Sequence, residues 1–119
     1  MKNLGVLISF VLLLSMSVVA QTEFTLDPSQ SMLMTGKGPG QDATINPYIG
    51  QDCYAVVENL GQRTLSVRIQ KKGTIIEEVS VSKGETKKVK LLKDQELYLD
   101  PNSEGKTKAR VSYESISKD

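Results

Sequence analysis

The chain has 119 residues, 39% of them hydrophobic, with 15 Lys plus Arg against 14 Asp plus Glu, four Tyr, two Phe, one Cys, and neither His nor Trp. This length suits one domain. Near-neutral charge and few aromatics exclude a nucleic-acid binder, which needs a basic surface and stacking side chains, and the absence of His excludes Ser-His-Asp and Cys-His nucleophile arrangements.

The N-terminus reads as an export signal. Lys2 supplies a short positive region, residues 4–19 form an almost unbroken uncharged apolar stretch, and Val18-Val19-Ala20 ends it with a small residue. We expect residues 1–20 to be a signal peptide cut between Ala20 and Gln21. The apolar stretch falls short of the roughly 20 residues that span a bilayer. Gln21 stands where a lipoprotein would carry its anchoring Cys. The expected product is secreted or periplasmic, without a membrane span after cleavage. It is a single domain over residues 21–119, with 14 Lys plus Arg (15 less Lys2) against 14 Asp plus Glu. Cys53 is its only cysteine, so no internal disulfide exists. A buried thiol acting as a small hydrophobe is the reading preferred over a bridge to another chain.

In chain order, residues 23–26 (EFTL) form a short strand closed by Asp27-Pro28, and residues 31–35 (SMLMT) a second. Met32 and Met34 share one face of that strand. Core packing suits them better than thioether metal ligation, since no His accompanies them. Residues 36–52, GKGPGQDATINPYIGQD, form the one long irregular segment. Loops beyond about 12–15 residues tend to be functional or mobile, so this is the candidate site. Gly36-Lys37-Gly38-Pro39-Gly40 is not a phosphate cradle, because Pro39 removes an amide and no helix follows.

From Cys53 the apolar period becomes two. Residues 53–58 read as a central strand and residues 65–70 as its partner with one wet face, the two joined by a turn at Asn59. A connection at Lys71-Lys72-Gly73 leads to residues 74–82. Alternation there requires a β-bulge at Glu77-Glu78, which sets Ile69 opposite Ile76, Val67 opposite Val79 and Leu65 opposite Val81. A loop at Lys83-Gly84-Glu85 then sets Val79 opposite Val89 and aligns Arg68, Glu78 and Lys90 on the wet face. Lys87, Lys88, Lys90 and Lys93 accordingly read as a solvated face. Residues 96–99 point Leu97 and Leu99 inward, a hairpin turn at residues 100–105 follows, and residues 109–115 point Ala109, Val111 and Tyr113 inward. About eight strands at regular spacing predict an all-β fold, a small antiparallel β-sandwich of immunoglobulin-like or jelly-roll-like type. The last three residues are expected to fray.

The functional expectation is an exported, non-catalytic module for binding or for envelope or extracellular assembly, with a protein or glycan partner and no cofactor. Its binding residues would be Asp42, Asn46, Tyr48 and Asp52, with Tyr54 and Tyr98 as further contact candidates. If the loop is contact surface alone, removing residues 42–49 should leave the thermal midpoint nearly unchanged. The alternative is a small-ligand or calcium-binding protein using the 36–52 loop or the Asp100 turn. There Asp100, Asn102, Glu104 and Gly105 nearly match the first half of an EF-hand loop, but Val111 stands where the closing Glu belongs. A small hydrolase with paired carboxylates is the remote third reading.

Overall fold

A computed structural model describes residues 21–38 and 40–116. The expected signal peptide with its cut after Ala20, Pro39 and the expected fraying of residues 117–119 lie outside them. Among the described residues eight strands follow one another: β1 (Thr22–Leu26), β2 (Met32–Thr35), β3 (Cys53–Asn59), β4 (Leu65–Lys71), β5 (Thr74–Val81), β6 (Thr86–Leu91), β7 (Glu96–Asp100) and β8 (Thr107–Ser115). They form two four-stranded antiparallel sheets, β1-β8-β3-β6 and β2-β7-β4-β5. No helix among the described residues is long and apolar enough to cross a membrane.

Alternation builds the core between the sheets. Cys53, Ala55 and Val57 of β3, Leu65, Val67 and Ile69 of β4, Leu97 and Leu99 of β7, and Ala109, Val111 and Tyr113 of β8 are all buried. Cross-strand pairs hold them in line, with Ala55 between Val89 and Tyr113 and Val67 between Val79 and Leu99. Met34 is fully buried and Met32 packs at the core's border, as expected. A register shift between Leu33 and Thr35 turns Thr35 inward as well.

Neighbour relations differ from those expected. β3 is central, but its neighbours are β8 and β6; β4 lies in the other sheet between β7 and β5. The chain crosses between sheets at Asn59 instead of making a hairpin. This side chain is fully buried. Its amide donates to the carbonyls of Arg63 (2.7 Å) and Val81 (2.9 Å). Its carbonyl accepts from the Gly61 N–H (2.9 Å) and the Thr107 hydroxyl (3.3 Å). Its backbone bonds to Glu85 and Gly84. One residue thus ties together three crossings, β3 to β4, β5 to β6, and β7 to β8.

The same geometry overturns the β5–β6 register. Val79 does not face Val89, because β5 pairs with β4 and β6 with β3. Arg68 does face Glu78, whereas Lys90 lies opposite Tyr54 in the other sheet. Residues 100–105 likewise cross between sheets and are not a hairpin turn. The β4–β5 hairpin is real, with Leu65 opposite Val81 and Val67 opposite Val79. Its bulge residue is Ile76, so Ile69 faces Glu77, and Ile76 is 52% exposed. Its turn is two residues, not three. Lys71 pairs with Thr74, and Lys72 and Gly73 have φ of 51° and 82°, the left-handed pair that suits the twist of a hairpin.

Candidate functional site

Residues 36–52 connect β2 to β3 and cross from one sheet to the other, closing the end of the sandwich opposite Asn59. Hydrogen bonds fold this loop into a defined shape. One Asp42 oxygen accepts from the Gly36 N–H (2.9 Å) and the Thr35 hydroxyl (3.3 Å), and the other from the Lys37 N–H (2.9 Å). The returning chain bonds to β2 through Ala43 N–H to Leu33 (3.0 Å) and Thr44 N–H to Met34 (3.1 Å). The buried Thr44 hydroxyl donates to the Met34 carbonyl (2.6 Å) and accepts from the Tyr113 hydroxyl (2.6 Å). Burial raises the Tyr113 pKa well above its ordinary value and outweighs the Thr44 bond.

Gly36 shows how closely this loop meets its neighbour. Its φ is 127°, and a Cβ there would lie 2.7 Å from the Gln95 carbonyl oxygen. Both the conformation and the contact require glycine. Asn46 is buried, donates to the Cys53 sulfur (3.7 Å) and accepts from the Tyr48 N–H (2.9 Å). Tyr48 packs against the core border. Asp52 accepts from the Lys93 N–H (2.9 Å), joining the loop to the 92–95 turn. Cys53 is itself fully buried. Burial raises its thiol pKa, the Asn46 bond opposes that, and the Asp52 charge adds to it, so the sulfur is neither accessible nor activated.

The four residues singled out from the sequence therefore lie in one loop and spend much of their polarity on holding its shape. What the shape presents is apolar. A hollow of about 450 Å³ is lined by Gly38, Gly40, Asp42, Thr44, Ile45, Asn46 and Ile49. A second, of about 180 Å³, lies between the loop and residues 91–95 and shares Asn46 and Ile49 as its wall. Ile45 is 85% exposed, Ile49 52% and Leu92 40%. Sequence reasoning passed over these three. The available signal was two isoleucines inside a Gly-, Pro- and Asn-rich loop, where no strand needs them.

The other candidates lie elsewhere. Tyr54 and Tyr98 belong to different sheets, and each carries a cation over its ring, Lys88 Nζ at 4.6 Å and Arg68 Cζ at 4.3 Å from the centroid. The Asp100 carboxylate accepts from Arg68 Nε (2.8 Å) and Nη2 (2.9 Å) and from the Ser31 hydroxyl. Asn102 accepts from the Glu104 N–H (2.7 Å), and Glu104 pairs with Arg63 (3.2 Å). Among the described residues no three His, Cys, Asp or Glu side chains are placed to hold a metal ion.

No protein-family model and no curated protein matches the chain. Its likenesses are to solved structures. A crystal structure of PirA superposes with a TM-score of 0.60 at 15% identity, over 78% of this chain and 92% of that one. A de novo designed double-stranded β-helix superposes with a TM-score of 0.50 at 14% identity, over 80% and 99%. At such identities the likeness is one of fold.

Proposed function

We propose that this chain is an exported, non-catalytic β-sandwich that captures a protein partner through the end surface built by residues 36–52 and 92–95. The observation that carries this reading is the exposure of Ile45, Ile49 and Leu92 around two adjoining hollows whose frame is held by Asp42, Asn46 and Asp52 and packed by Tyr48. A preorganised concave apolar surface with a few polar groups loses little entropy on binding. Among the described residues no aromatic ring lines either hollow, so a protein's apolar side chain fits better than a glycan, which stacks on exposed rings. Export rests on the leader-like residues 1–20.

A non-catalytic role is supported by a chain without His and by a sole thiol that is fully buried and poorly ionised. Within the sandwich class we infer the jelly-roll type over the immunoglobulin type. The support is the nested pairing of β1 with β8, β2 with β7, β3 with β6 and β4 with β5, as when one long hairpin is rolled up.

The test is capture from the extracellular or periplasmic fraction. Ile45→Asp/Ile49→Asp should lose the partner retained by the unaltered protein and keep its thermal midpoint within a few degrees, since both side chains are exposed. Retention of the same partner by the doubly substituted, folded protein would move the binding surface elsewhere.

A further inference from the structure

One side of the sandwich carries two open edges. Among the described residues β5 pairs only with β4, and β6 only with β3, so there each presents a row of backbone donors and acceptors without a sheet partner. A groove of about 250 Å³ runs between them, lined by Ile69, Ile76, Glu77, Lys90, Leu92 and Gln95. Ile76 and Leu92 are 52% and 40% exposed in it. The β5 lip carries Glu77 and Glu78, and the β6 lip carries Lys87, Lys88 and Lys90. Lys88 pairs with Glu114 and Lys87 with Glu85, whereas Glu77 and Lys90 enter no ion pair among the described residues.

We propose that this side binds a second copy of the chain about a two-fold axis along the groove, with β6 of each copy adding to β5 of the other. Rotation about that axis exchanges the lips, so acid meets base twice. β5 and β6 run in opposite senses on either side of a short turn. An axis parallel to the strands preserves direction, so β6 meets the second β5 antiparallel. The rotation also exchanges the two sheets, and the core-facing side of each continues into the core-facing side of its new neighbour. A register with Val89 opposite Val79 and Lys90 opposite Glu78 keeps those valines inward and that charge pair outward, and leaves Glu77, which shares the face of Ile69, at the groove. It is the pairing that the crossing from β5 to β6 denies within one chain.

Ile76 and Leu92 of both copies then close over the axis. Lysines and bulges ordinarily protect an edge from pairing. Here like-edge pairing sets Lys against Lys or Glu against Glu, so the same residues leave the crossed arrangement as the favourable one.

Sedimentation equilibrium of the protein as purified after export tests this. A monomer–dimer equilibrium between micromolar and millimolar concentrations is expected, weakening as salt rises. Glu78→Lys and Lys90→Glu should each weaken it about tenfold or more, and the double reversal should restore it to within about threefold. Because Glu78 also faces Arg68, Glu77→Lys serves as a second variant, its own cross-strand neighbour being the uncharged Ile69. A chain that stays monomeric to millimolar concentration overturns the proposal, as does a dimer indifferent to salt or a double reversal no better than the single ones. If a reversal fails to fold, the salt dependence of the unaltered protein decides.

Discussion

Asn59 is the residue on which most of the connectivity depends. Its amide satisfies two carbonyls and two donors at a fully buried position, and each buried group left unpaired costs about 1–3 kcal/mol. Asn59→Ala should therefore cost about 3 kcal/mol or more by denaturant unfolding; a loss below about 1 kcal/mol would show that the crossings hold without it. Asp100 sets the acid limb. Burial works to raise its pKa, and the Arg68 and Ser31 hydrogen bonds with the Arg68 charge outweigh that, leaving it below the ordinary 3.8. A carboxylate depressed in the native state stabilises the fold above its ordinary pKa, and this is lost as pH falls from there through the native value. Asp100→Asn should lower stability at pH 7 by about 1–2 kcal/mol, the pair being partly buried. It should also flatten the fall below about pH 4. An acid limb of unchanged slope would assign the titration to other carboxylates, such as Glu23, held low chiefly by Arg110, or Glu85, held low chiefly by the Ser82 N–H.

Among the elements, the β4–β5 hairpin shows local chemistry and tertiary context pulling apart. Lys72 occupies a positive-φ position that Asn tolerates better, so Lys72→Asn should raise the unfolding free energy by about 0.5 kcal/mol. No gain would mean the turn relaxes from the left-handed pair. A bulge was legible from Ile76 and Val79 standing three apart, because both apolar residues were assigned to the core. Its place was not. Ile76 faces solvent, and an exposed isoleucine looks like a buried one in a sequence pattern. The β2–β3 loop teaches the converse. Its length and glycines marked it as irregular, yet Thr44 and Asn46 are buried in it.

For the whole molecule, this loop is both the proposed contact surface and the closure of one end of the core. Deleting residues 42–49 removes the Thr44–Tyr113 bond, the Asn46 bond to Cys53 and the β2 contacts. The thermal midpoint should fall by about 10 °C or more, from a loss of several kcal/mol in a domain of this size. An unchanged midpoint would restore the loop as surface alone. The exposed Ile45 and Ile49 are thus the positions at which recognition separates from stability.

Amino-acid order alone determined which residues of β3, β4, β7 and β8 face inward. A period of two in residues 53–57, 65–69, 97–99 and 109–113 is a local property of the pleated backbone, and it marked eight strands, a buried thiol and the long loop. Which strand neighbours which was decided only in three dimensions. Alternation is identical whether successive strands pair in one sheet or face each other across a core, so β3 beside β4 and β5 beside β6 read as well as the true arrangement. The choice rests on contacts between residues distant in sequence, foremost the Asn59 amide with Val81 and Thr107. The site was divided in the same way. Asp42, Asn46, Tyr48 and Asp52 were visible as loop residues, while the hollow they frame and the exposure of Ile45, Ile49 and Leu92 exist only once two sheets meet beneath them.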